Sequence, residues 1–114
     1  MIFDFDSFTR TVKLAYRRCG GSSYTLSEVL QVFRYYFETY ELIFEQPHPF
    51  INVSQTAGII EKMPCTRNGI PLAPEAYEAM IDQHFSTNYQ HCDFNVNHFF
   101  SGDIRENRYY ETLY

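Results

Sequence analysis

The chain has 114 residues, of which 45% are hydrophobic, 18% aromatic and 20% charged, with a formal net charge of -5. That is the length of one compact domain with enough apolar material for a core, which excludes a disordered chain. The longest apolar run of note, Leu42-Ile43-Phe44, is far short of the roughly 20 residues that span a bilayer.

The N-terminus, Met1-Ile2-Phe3-Asp4-Phe5-Asp6, is acidic and lacks the basic start of a signal peptide. Cys19, Cys65 and Cys92 are odd in number and follow no disulfide framework. Together these predict a soluble cytoplasmic chain with reduced thiols. Charge is unevenly spread. Residues 1–34 hold five basic and three acidic residues, a net of +2; residues 35–114 hold four and eleven, a net of -7. Most of the chain would therefore repel an anion and attract a basic surface.

The apolar spacing is helical throughout. Phe8, Val12, Ala15 and Cys19 recur at i, i+4, i+7 and i+11, which predicts a first helix from Ser7 to Arg18 with Ser7 as its cap. Gly20-Gly21 ends it. Thr25-Leu26-Ser27-Glu28 reads as a capping box opening a second helix that runs to about Glu45. Its apolar positions, from Val29 to Phe44, cover more than half the circumference, so several neighbours should pack on it. Pro47-His48-Pro49 forbids continuation. Ser54 is expected to open a third helix to about Met63, stopped by Pro64. Residues 65–72 read as a loop around Asn68-Gly69, with room for a minor hairpin. Pro74 suits the first position of a fourth helix with Tyr77, Met80, Ile81, His84 and Phe85 inward. Asp93 is expected to cap a fifth helix from Phe94 to Phe100, with a last turn set after Gly102 through Tyr110. The expectation is an all-α protein, a single domain over residues 1–114 of five or six helices.

Three sets of residues carry candidate chemistry. His84, His91, Cys92 and His98 fall within fifteen residues, but the spacing H-x6-H-C-x5-H matches no zinc knuckle. A thiol–imidazole pair of Cys92 with His91 or His98 would need a depressed thiol pKa and an oxyanion pocket, which spacing does not supply. The ordinary reading puts His84 at a helix edge, the other histidines at helix ends or on the surface, and Cys92 in the core. Asp103 and Glu106 read as a solvated pair, and no phosphate-binding glycine loop occurs. The chain is accordingly expected to be no enzyme and to hold no metal or cofactor.

The second set is basic. Arg10, Lys13 and Arg17 fall at i, i+3 and i+7, with Arg18 alongside, a row that can track phosphates or simply be a solvated helix face. Val53 to Ile60 partly resembles a helix-turn-helix element, with Gln55 and Thr56 able to read base edges. The third set is acidic. Glu38, Glu41 and Glu45 fall at i, i+3 and i+7, and Glu75, Glu78 and Asp82 repeat the spacing. Each stripe sets three charges over about 10 Å of helix. Two stripes 8–10 Å apart, a typical helix separation, would approach the roughly six charges duplex DNA carries in that length. The alternative is two ordinary solvated faces. Tyr35, Tyr89, Tyr109, Tyr110 and Tyr114 are the tyrosines expected nearest the surface, where they suit protein contact.

The run Cys92-Asp93-Phe94-Asn95-Val96-Asn97-His98-Phe99-Phe100-Ser101-Gly102-Asp103-Ile104-Arg105, with Arg108-Tyr109-Tyr110-Glu111, is distinctive, as are Tyr16-Arg17-Arg18-Cys19-Gly20 and the His48-Pro49 step. With these the chain resembles small proteins encoded on conjugative elements and prophages of gut Firmicutes. The resemblance implies a protein of anti-CRISPR type that acts against host defence, and no catalytic residues come with it. The expected partner is then a protein with a basic surface, such as the CRISPR effector Cas9, met by Glu38, Glu41, Glu45, Glu75, Glu78 and Asp82. The competing expectation is a small DNA-binding regulator using Arg10, Lys13, Arg17, Arg18 and the helix from Ser54.

Overall fold

The computed structural model describes residues 5–20, 24–63, 72–86, 94–100 and 104–112, without the side chains of Arg105, Glu106 and Tyr110. Among them every regular element is a helix: α1 (Phe5–Arg18), α2 (Leu26–Phe44), α3 (Val53–Lys62), α4 (Pro74–Ser86), α5 (Val96–Phe99) and α6 (Ile104–Thr112). The all-α expectation holds.

α2 organises the rest. Its start is the expected capping box: Thr25 Oγ1 accepts from the Glu28 amide at 3.1 Å, and the Glu28 carboxylate accepts from the Thr25 amide at 2.9 Å. It ends where Glu45 turns left-handed at φ 55°, its amide donating to the Glu41 carbonyl at 2.9 Å. Val29, Val32, Phe33, Tyr36, Phe37 and Tyr40 are all buried.

α1 lies antiparallel on one flank of α2. Phe5 meets Phe37 at 6.2 Å and Phe8 meets Phe33 at 5.5 Å, so the two chains run opposite ways. The helix begins two residues before the expected Ser7 cap, so Ser7 sits inside the first turn. The reason is tertiary: Phe5 packs on Phe8 and Phe37, and the Arg34 guanidinium covers its ring at 4.5 Å. That contact outweighs a capping preference worth about 1 kcal/mol.

α3 also starts earlier than expected, at Val53 under an Asn52 cap. Asn52 Oδ1 accepts from the Gln55 amide at 2.8 Å and Gln55 Oε1 accepts from the Asn52 amide at 2.9 Å. Ser54 has no such reciprocal partner three residues on, and its hydroxyl accepts from Arg18 Nη1 at 3.0 Å instead. α3 packs on the far side of α1, where Cys19 Sγ meets the Ala57 carbonyl at 3.4 Å.

α4 opens on Pro74 as expected and lies parallel to α2, since Gln31 meets Glu78 and Tyr35 meets Asp82, four residues on in each helix. α6 packs on its other flank, which orders the helices α3, α1, α2, α4, α6. The row closes behind: the Tyr77 hydroxyl donates to the Met63 carbonyl, joining α4 to the end of α3. The resulting slab measures 36 × 35 × 21 Å.

The C-terminal helices differ from expectation. α5 is a single turn capped by Asn95, whose Oδ1 accepts from the Asn97 amide at 2.9 Å. Phe94 is left-handed at φ 59° rather than helical, because its carbonyl accepts from the Tyr36 hydroxyl at 2.7 Å and its ring stacks on Phe85 at 5.4 Å. The last helix runs on to Thr112 rather than ending at Tyr110. Pro64, the 65–72 hairpin apart from Leu72, Asp93 and Gly102 lie outside the described residues.

Phe33 has no exposed surface, so Phe33→Ala is expected to cost about 3–5 kcal/mol in urea unfolding. Thr25→Ala should cost about 1 kcal/mol through the lost cap. Wild-type unfolding by the Phe33 variant would contradict the packing of α2.

Candidate functional site

Two histidines, His48 and His84, are core groups with ring nitrogens in hydrogen bonds. His84 is fully buried rather than at a helix edge. Its ring lies 5.2 Å from Phe94, 5.1 Å from Phe99 and 5.7 Å from Phe85. Arg108 Nε donates to His84 Nδ1 at 3.1 Å, and Arg108 Nη1 donates to Glu111 at 2.8 Å. A neutral imidazole is the form that accepts from a cation, so burial, then the Arg108 charge, then His98, push His84 down to about 4, with Glu111 opposing. His98 stands half-buried on α5, its ring 6.4 Å from that of His84. His91 and Cys92 lie outside the described residues, as does Asp103. Among the described residues no three metal-ligating side chains are placed to hold an ion.

In the sequence His48 stands in a proline stop and in the distinctive His48-Pro49 step, with no structural role assigned to it. It is buried against Phe37 at 4.6 Å and Tyr40 at 4.8 Å. Its Nε2 accepts from the Val96 amide at 2.9 Å, so Nδ1 carries the proton and donates to the Pro49 carbonyl at 2.7 Å. The Cys19 thiol is pushed up by burial and by Glu61, the direction that suppresses thiolate chemistry.

The acidic residues fall on the outer side of the α2–α4 seam. Glu38, Glu41, Glu45, Glu75 and Asp82 are exposed and Glu78 is half-buried. The parallel pairing sets the two stripes on adjacent helices, and the bonds to the α4 stripe come from Tyr35 and Gln31 of α2 rather than from its carboxylates. Tyr35 donates to Asp82 Oδ1 at 2.6 Å and Gln31 Nε2 reaches Glu78 Oε1 at 3.4 Å. Glu38 follows Tyr35 by one turn on the same side of α2, so it neighbours that pair. Glu41 and Glu45 continue toward the C-terminal end of α2, while Glu75 lies toward the start of α4. The stripes are thus staggered end to end rather than stacked level. Arg34 is the one cation on this strip of α2, 3.7 Å from Glu38 with both side chains exposed, a pair that leaves the face acidic.

The α1 face is its opposite. Arg10, Lys13, Arg17 and Arg18 are all exposed, and among the described residues no carboxylate forms an ion pair with them. On α3, Thr56 is buried with its hydroxyl on the Asn52 carbonyl at 2.7 Å, which takes it away from any base edge, while Gln55 is exposed with its Oε1 in the capping box.

Tyr35 and Tyr109 are half-buried, while Tyr89 and Tyr114 lie outside the described residues. Tyr35 is pushed up to about 12 by its bond to Asp82, by burial and by the charges of Asp82 and Glu78. It stays a neutral donor and fixes one carboxylate of the seam. Comparison with family models, curated proteins and solved structures finds no match.

Two outcomes are expected. His84 is neutral when folded and titrates near 6.5 when unfolded, so its contribution is complete above pH 6.5 and is lost as pH falls toward 4. Stability to urea should drop by about 3 kcal/mol over that window, and His84→Gln should flatten the drop. Tyr35→Phe should cost about 0.5–1.5 kcal/mol, and the loss should shrink in an Asp82→Asn background.

Proposed function

We propose that this chain is a non-enzymatic binding protein that acts by covering a basic surface on a protein that handles nucleic acid. The observation that carries the reading is that the two acidic stripes lie on adjacent parallel helices, tied by the Tyr35–Asp82 bond, with five of their six carboxylates exposed. Together they make the outer surface of this helix pair acidic. A band along a parallel helix pair presents regularly spaced negative charge, the feature a phosphate-binding groove recognises. Tyr35 and the exposed Leu42 add contact area that a purely electrostatic decoy would lack.

The resemblance to proteins of mobile elements gives the reading its specific form, an inhibitor of anti-CRISPR type with an effector such as Cas9 as target. Acting there, the acidic band would occupy a channel built for the nucleic-acid backbone. The competing reading, a DNA-binding regulator using Arg10, Lys13, Arg17 and Arg18 with the helix from Ser54, has Thr56 buried but keeps an exposed Gln55 and an exposed basic row.

One set of measurements separates the two. The purified chain is expected to inhibit DNA cleavage by Cas9 and to leave bare duplex unshifted in a gel. Glu38→Lys, Glu41→Lys and Glu45→Lys together should abolish inhibition without changing the melting curve, since exposed substitutions move stability by under about 0.5 kcal/mol. The triple reversal at Glu75, Glu78 and Asp82 should weaken it in the same direction. Binding should fall as salt rises from about 50 to 200 mM. A duplex shift that depends on Arg10, Lys13 and Arg17, with both acidic sets dispensable, would overturn the proposal in favour of the regulator.

A further inference from the structure

In the last turn of α2, Phe44 packs on Phe85 and Phe94, while Leu42 and Ile43 are left exposed among the described residues. Every residue from Glu41 to Pro47 is exposed, and Leu42 at 81% is the most exposed large apolar side chain described. Phe50, in the segment that follows, is 67% exposed. Burying neither of these in the chain's own core leaves apolar surface of the kind that marks an interface.

The same chain carries a complementary face. Leu14 on α1 is 55% exposed. Beside it stand Arg10, Lys13 and Arg17, at offsets of -4, -1 and +3. Beside Leu42 stand Glu38, Glu41 and Glu45, at the same three offsets. On a helix the -4, -1 and +3 positions all fall on one flank of the central residue. Each face is therefore a leucine bordered on one side by a stripe of three charges, the third on α2 being the cap residue Glu45, and the two stripes are opposite in sign. Arg10, Lys13, Arg17, Glu41 and Glu45 make no ion pair among the described residues. Within one molecule the faces cannot meet, because α1 and α2 already pack on each other through Phe8, Phe33 and Phe37, which turns both leucines outward.

We propose that a second copy of this chain covers the end of α2: the Leu14 face of α1 in one copy docks on the Leu42 face of α2 in the other. Leucine meets leucine, and the cations face the carboxylates alongside. Arg10 and Lys13 keep the same helical spacing as Glu38 and Glu41, while Glu45 stands at the left-handed cap opposite the end of the basic stripe. Each copy offers one face of each sign, so a pair can close with two such contacts. The inference does not rest on the function proposed above. It shares Glu38, Glu41 and Glu45 with it, so self-association and capture of a basic partner would compete for one face.

The test is sedimentation velocity on the purified chain alone, from about 1 to 500 µM, which keeps its outcome separate from that of the inhibition assay. The sedimentation coefficient should rise with concentration and fall back as salt increases. Leu14→Asp and Leu42→Asp should each be monomeric, with helical spectra and melting curves unchanged. The decisive arm mixes two charge-reversed chains. One carries Glu38→Lys, Glu41→Lys and Glu45→Lys; the other carries Arg10→Glu, Lys13→Glu and Arg17→Glu. Each alone should be monomeric, and an equimolar mixture should associate, because every face then meets its opposite. A wild-type chain that stays monomeric throughout would overturn the proposal. So would self-association that survives either leucine substitution, or reversed chains that fail to associate when mixed.

Discussion

The breadth of the apolar arc on α2 is the constraint from which the rest of the architecture follows. A helix buried at Val29, Val32, Phe33, Tyr36, Phe37 and Tyr40 must be covered on more than one side. α1 takes the flank of Phe33 and Phe37, and α4 takes the flank of Tyr35 and Tyr36. Neither helix could be displaced without exposing aromatic rings worth several kcal/mol each on burial. Only one narrow strip of α2 then faces outward, and Gln31, Arg34, Glu38, Glu41 and Glu45 occupy it. The acidic character of the surface and the burial of the core are thus two readings of one helix wheel.

An aromatic core without tryptophan brings tyrosine hydroxyls inside, and each needs an acceptor. Here the acceptors are backbone carbonyls of connecting segments. Tyr24 donates to Leu72, Tyr36 to Phe94, and Tyr77 to Met63, while the half-buried Tyr16 donates to Tyr24. His48 does the same work with both ring nitrogens, holding Pro49 and Val96. These bonds tie the segments between helices to the helices themselves. They satisfy the hydroxyl of the side chain with a backbone carbonyl of the connecting segment. A short connection can then lie against the core without leaving an orphaned group.

What was legible in the sequence was whatever local chemistry decides. The capping box at Thr25, the proline at the start of α4 and the inward face of α1 depend on neighbours within one or two turns, and the structure has them as expected. The misplaced starts of α1 and α5 turn on partners far away in the chain: Phe37 for Phe5, and Tyr36 for Phe94. The start of α3 is a different lesson. Its Asn52–Gln55 box is as local as the one at Thr25, and Gln55 supplies Asn52 with the reciprocal partner that Ser54 lacks. His84 shows the limit from the other side. Its helical position fits the inner face of α4, but a histidine can be buried there only because Arg108 on α6 supplies a donor, which no spacing within α4 announces.

The placement of the charges follows from the same geometry. Alternation along a helix tells which residues share a face, so each stripe could be read one at a time. Whether two stripes join depends on how their helices run and at what level they meet. Along α2 and α4 the pairs Gln31 with Glu78, Tyr35 with Asp82 and Tyr40 with Phe85 run in the same order, and the inner part of that seam is aromatic, Tyr36, Tyr40 and Phe44 all meeting Phe85. Like charges gathered on one seam repel, and at about 20–80 for the effective dielectric near a surface that repulsion stays small against ring burial. The core therefore dictates the arrangement, and the charges accept it. Tyr35 lowers the cost at the closest point by donating to Asp82, and Arg34 lowers it at Glu38. Glu41 and Glu45 have no such relief among the described residues, and they flank the least covered apolar side chain described, Leu42. Unrelieved charge and uncovered apolar surface thus coincide at the end of α2, where a complementary surface would remove both costs at once.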